Sequence, residues 1–121
     1  MTKVKPQDLG IRLLLGNVAA LGPGKIELIN AIEIAGSISG AAKLMGMSYR
    51  RAWKLIEAMN GDFISPLVVT NAGGSGGGGA QVTEAGFDAL TRYRSMEDKA
   101  GQAVRQEILD FAALLNPQPK N

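Results

Sequence analysis

The chain has 121 residues, 45% of them hydrophobic, with 13 Lys/Arg against 11 Asp/Glu and a net charge of +2, which suits one globular domain with a modest core. It contains neither cysteine nor histidine, which excludes a disulfide framework, thiol catalysis, a conventional zinc site and histidine acid/base chemistry. Residues 1–60 hold eight Lys/Arg against four Asp/Glu and residues 61–121 hold five against seven, so a basic first half precedes a mildly acidic second half. The N-terminal residues lack the apolar segment of a secretory signal and no apolar run reaches membrane-spanning length, so a cytoplasmic chain with no membrane partner is expected.

In chain order, Ile11-Arg12-Leu13-Leu14-Leu15 is a short apolar run ended by Gly16-Asn17 and reads as a buried strand. Gly22-Pro23-Gly24 then opens a helix carrying Ile26, Leu28, Ile29, Ile32 and Ile34 and stopping at Gly36, which reads as core. Glu27 and Glu33 lie six apart on it and form no convergent carboxylate pair, so they read as solvated helix charges.

The stretch 37–55 carries the most information. Ile38, Ala41, Ala42 and Met45 recur at i, i+3, i+4 and i+7, and the two alanines let another helix approach closely. Gly46 stops that helix, Ser48 is placed to cap the next, and Asn60-Gly61 supplies its stop. On the second helix Ala52, Leu55, Ile56 and Met59 form the inward stripe, whereas Arg50, Arg51 and Lys54 cluster on the opposite arc. Two short helices joined by a glycine turn, with cations on the second, make a helix-turn-helix whose second helix enters the major groove, where Arg to guanine is the commonest specific contact. The candidate DNA contacts are Ser39 and Lys43 on the first helix and Ser48, Tyr49, Arg50, Arg51 and Lys54 on the second. The plain alternative is a solvated charged face. Tyr49 and Trp53 flank the inward stripe on the angular count, so packing against the wing or first helix is expected of them more than base stacking.

Next, 66–71 reads as a strand and 80–83 as its return partner, with Gly73-Gly74-Ser75-Gly76-Gly77-Gly78-Gly79 between them. Such a hairpin is a wing, and its exposed N–H groups would lie against phosphates, which adds Asn71, Gly76 and Gly77 to the candidate DNA contacts. A P-loop would need a Lys after the glycines, and none follows. A flexible linker and a hairpin whose tip touches nothing remain as alternatives.

From Thr83, a candidate N-cap, no proline intervenes until Pro117, and Leu90, Tyr93, Met96, Ala100, Val104, Ile108, Phe111 and Leu115 recur at spacings of three or four. One helix of about 32 residues would extend roughly 48 Å, longer than a domain of this size covers by itself. Self-association into a two-fold dimer buries the stripe, so Leu90, Tyr93, Met96, Val104, Ile108, Phe111 and Leu115 are the candidate dimerisation residues. The expected fold is mainly α with a small β-hairpin wing: a winged helix-turn-helix over 1–83, then a long dimerisation helix with a short tail over 84–121.

Residues 10–115 resemble the N-terminal DNA-binding domain of the ModE family, the molybdate-responsive bacterial transcription regulators. The resemblance rests on the helix from Gly24 to Ile34, on Ser37-Ile38-Ser39-Gly40-Ala41-Ala42, on Met47-Ser48-Tyr49-Arg50-Arg51-Ala52-Trp53, and on the wing ending Gly77-Gly78-Gly79-Ala80-Gln81-Val82-Thr83-Glu84-Ala85-Gly86. It implies a homodimeric, DNA-binding regulator with Ser48, Tyr49, Arg50, Arg51 and Lys54 on double-stranded DNA, and no enzymatic activity. The family's molybdate-binding β-barrel modules have no counterpart before Asn121, so these residues are expected to hold no molybdate and no cofactor. A stand-alone regulator and a fragment of a longer one both fit. The rival reading is a winged-helix adaptor that uses its long helix to bind another protein.

Overall fold

The computed structural model describes residues 4–15, 19–71 and 78–116. They fall into two compact units, one formed by the described residues between 12 and 91 and one by residues 4–11 with 92–116.

In the larger unit, β1 (Leu13–Leu15) pairs antiparallel with β2 (Ala19–Leu21), Leu13 opposite Leu21. The strand read at 11–15 is therefore one arm of a hairpin whose second, alanine-rich arm the sequence did not announce. Helix α1 (Pro23–Ala35) starts with proline in its first turn and ends on Gly36, whose φ of 73° is a left-handed cap. Ser37 then caps α2 (Ile38–Met45), its hydroxyl accepting from the Gly40 N–H at 2.9 Å. Gly46, at φ 67°, ends α2 as the sequence predicts, and Ser48 caps α3 (Tyr49–Gly61) by accepting from the Arg51 N–H at 3.1 Å.

The three helices close on the expected stripes. Ile26, Leu28, Ile29 and Ile32 of α1, Ile38, Ala41 and Ala42 of α2, and Ala52, Ile56 and Met59 of α3 are buried, while Met45 and Leu55 are half-buried. Ile34 departs from the reading as core: it is 77% exposed, because the last turn of α1 rotates it past the stripe.

The wing hairpin consists of β3 (Val68–Thr70) and β4 (Ala80–Val82), antiparallel with Val68 opposite Val82. Thr83 caps α4 (Glu84–Ala103): its hydroxyl accepts from the Gly86 N–H at 2.9 Å and donates to the Pro66 carbonyl at 2.7 Å. Gly86 lets α4 start against the strand, since a Cβ there would stand 2.3 Å from the Leu67 oxygen.

The long helix is not continuous. Val104, at φ −112° and ψ 25°, separates α4 from α5 (Arg105–Ala112), although its N–H still bonds to the Ala100 carbonyl at 3.1 Å. Leu90 and Tyr93 are buried within the chain itself, so the exposed apolar stripe starts further along than the periodicity suggests. In the smaller unit a 3-10 turn, Pro6–Asp8, packs near α5, and the Tyr93 hydroxyl donates to the Ile11 carbonyl.

Candidate nucleic-acid interface

The site is built on α3. Ala52, Ile56 and Met59 anchor it to the other helices, which leaves Arg50, Arg51 and Lys54 on the outward arc, all exposed. With Ser48 and Leu55 these three cations line one shallow concavity of about 390 Å³. Guanidinium groups held in the first turn of a helix, with their stems away from the core, have the freedom and the geometry for bidentate contacts to guanine or phosphate. Ser39 and Lys43 on α2, Tyr49 on α3 and Asn71 after β3 are exposed as well. Gly76 and Gly77 lie outside the described residues.

Tyr49 and Trp53, one helical turn apart, look sideways along α3 toward the base of the wing. With Ile38, Ser39, Thr70, Asn71, Gly78 and Gly79 they line a groove of about 270 Å³. They neither sink into the core nor stand free: Tyr49 remains 54% exposed and Trp53 40%. The groove brings together two aromatic rings, the hydroxyls of Ser39, Tyr49 and Thr70, and the Asn71 amide, from α2, α3 and the wing. Thr70 is a member that sequence reasoning missed; its place in the exposed half of a strand leading to the glycines was the available signal.

The wing is held on both edges. Just outside β3, Asn71 N–H bonds to the Gly79 carbonyl at 2.9 Å and Thr83 N–H to the Leu67 carbonyl at 3.0 Å, which in the antiparallel alternation makes Val68 opposite Val82 a pair not bonded across the hairpin. The N–H and carbonyl of Val68 consequently face away from β4. There the Asn60 side chain meets them: its Nδ2 donates to the Val68 carbonyl at 2.9 Å, and its Oδ1 accepts from the Leu67 and Val68 N–H groups at 2.9 and 3.3 Å. On the other edge the Ala80 N–H donates to the Gly36 carbonyl at 2.9 Å. The sequence reading treated Asn60-Gly61 as a backbone stop for α3. The helix does end at Gly61, but Gly61 takes no left-handed conformation and Asn60 acts through its side chain.

Candidate dimerisation residues separate by position. Met96, Val104, Phe111 and Leu115 are exposed, Ile108 is half-buried, and Leu90 and Tyr93 are buried. In the smaller unit Ile108, Phe111, Ala112 and Leu115 with Val4 and Leu9 line a largely apolar groove of about 420 Å³.

No family model matches the chain. The molybdenum transport protein ModE of Azotobacter vinelandii is 46% identical over 78 residues, 64% of this chain and 29% of that protein. The transcriptional regulator ModE of Haemophilus influenzae is 33% identical over 115 residues, 93% of this chain and 45% of its own length. The chain is homologous to the ModE proteins. A third relative, the molybdenum-pterin-binding protein MopB of Rhodobacter capsulatus, is 39% identical over 101 residues, 84% of this chain and 36% of MopB. This chain thus spans less than half the length of each ModE or Mop relative it matches here. Among the described residues no helix is long and apolar enough to cross a membrane, and no group of three acidic, histidine or cysteine side chains is placed to hold a metal.

Proposed function

We propose that this chain is a transcription regulator of the ModE type that binds double-stranded DNA as a homodimer. The observation that carries the reading is the exposed arc of Arg50, Arg51 and Lys54 on a capped helix that is anchored by its opposite face and flanked by a wing. That helix enters the major groove; Ser39, Lys43, Asn71 and the wing glycines meet the backbone on either side and set the register. Gly76 and Gly77 belong to this proposal on their sequence position. Two copies join through the exposed apolar residues of α4 and α5, with Phe111 and Leu115 at the centre, and present two recognition helices to a pseudo-palindrome with half-sites about 34 Å apart. A regulator of this kind works in the cytoplasm, on the DNA itself.

A fluorescence anisotropy titration against the chain's own upstream region and against random duplexes tests the reading, at low and physiological salt, with and without molybdate. Sequence-selective binding that weakens steeply with salt, because phosphate contacts release counterions, and that is unchanged by molybdate is the expected result. No binding at low salt would overturn it. Light scattering tests the dimer: a clean monomer would instead favour a different protein as the occupant of the apolar face on α5.

A further inference from the structure

We propose that Asn60 is a positioning residue that locks the wing to the recognition helix, so that contacts made by one are held in register with contacts made by the other; this rests on the DNA-binding reading above. The hairpin that needs locking is small. Two strands of three residues are marginal in water by themselves, and each exposes an edge of unpaired backbone groups. Here both edges are occupied from the helical core. Asn60, in the last turn of α3, satisfies two N–H groups and one carbonyl at the foot of β3, and the Gly36 carbonyl, at the left-handed end of α1, takes the Ala80 N–H of β4.

The chemistry of the clamp is specific to asparagine. The amide offers a donor and an acceptor in one plane, which a strand edge requires because its N–H and carbonyl groups lie side by side. Aspartate keeps the acceptor and loses the donor to the Val68 carbonyl; alanine loses both. Thr70, Asn71, Gly78 and Gly79 lie just beyond the clamped positions and share the groove with Tyr49 and Trp53 of α3. The alignment of the groove walls therefore passes through the amide of Asn60.

Two measurements test the clamp. Hydrogen exchange on the free chain reads it without DNA: Asn60→Ala is expected to speed exchange of the Leu67 and Val68 amides by about tenfold or more while leaving α2 amides unchanged. Should Asn60→Ala fail to fold, Asn60→Leu, which keeps the side-chain volume and removes both donor and acceptor, carries the same test on the same two amides. Unchanged protection at Leu67 and Val68 would overturn the clamp. The link to recognition is read by duplex affinity. Asn71→Ala is expected to weaken operator binding several-fold in the otherwise native chain and hardly at all with Asn60→Ala, because an unclamped wing has already lost its contact, whereas Arg50→Ala is expected to cost the same in both. An Asn71→Ala effect that is the same size in both backgrounds, zero included, overturns the coupling. If the native chain binds no duplex at all, the regulator reading falls, and the exchange data still decide the clamp.

Discussion

Gly86→Ala isolates the contact by which α4 is seated on the wing. An alanine Cβ would stand 2.3 Å from the Leu67 carbonyl oxygen and 2.7 Å from Val82 Cγ1, both far inside van der Waals contact. Neither neighbour yields cheaply: the Leu67 oxygen is backbone, accepts from the Thr83 N–H at 3.0 Å, and belongs to a residue only 1% exposed. Against the clash stands the ordinary advantage of alanine over glycine in a helix, about 0.5–1 kcal/mol. Overpacking of this kind costs about 1–3 kcal/mol, and displacement of the carbonyl weakens a hydrogen bond with a net value of about 1 kcal/mol. The expected balance is a loss of about 1–3 kcal/mol, a fall in Tm of roughly 5–15 °C for a unit of this size. Thermal unfolding followed by circular dichroism measures it, with Gly24→Ala as the control, since nothing lies within 4 Å of a Cβ at that site and its φ is ordinary. A Tm for Gly86→Ala equal to or above the native value would refute the reasoning.

Three further outcomes are expected. Burial and the neighbouring Glu97 push the Tyr93 phenol above its ordinary value of 10.0, so the neutral form is favoured in the fold; its stabilisation is complete below pH 10 and is lost as pH rises further through the raised value. Unfolding scans across that range are expected to steepen for the native chain relative to Tyr93→Phe, which at neutral pH is less stable by about 1 kcal/mol through loss of the bond to the Ile11 carbonyl; parallel curves would refute this. Ser48→Ala removes the acceptor for the Arg51 N–H and is expected to cost about 1 kcal/mol in chemical denaturation, the larger part recovered by Ser48→Asp. Arg50→Ala is expected to lower specific operator affinity by about 1–3 kcal/mol and random-duplex affinity much less, measured by competition anisotropy; equal losses on both would reassign Arg50 to the phosphates.

Helix boundaries were legible because their causes are local. Gly36 and Gly46 accept a left-handed conformation that other residues resist, and the hydroxyls of Ser48 and Thr83 reach N–H groups three residues on, whatever surrounds them. The inward stripes of α2 and α3, and with them the outward arc of Arg50, Arg51 and Lys54, follow from 3.6-residue periodicity alone. Strand β2 was not legible: Ala19 and Ala20 have little strand preference, and pairing with β1 is a contact between segments. Periodicity also ran unbroken through Val104, since apolar spacing says nothing of one residue leaving helical φ and ψ.

What the sequence determined by itself is therefore the limits of α1, α2 and α3, the start of α4 and the faces that α2 and α3 turn inward, because these depend on neighbours within about four positions along the chain. Tertiary structure alone decided that Leu90 and Tyr93 are spent inside the chain, that Ile34 faces solvent, that Tyr49 and Trp53 share a groove with Thr70 and Asn71, and that Asn60 grips β3 rather than merely ending α3. A side chain's partner seven or more residues away is set by how the elements pack, and no pattern within one element contains that information.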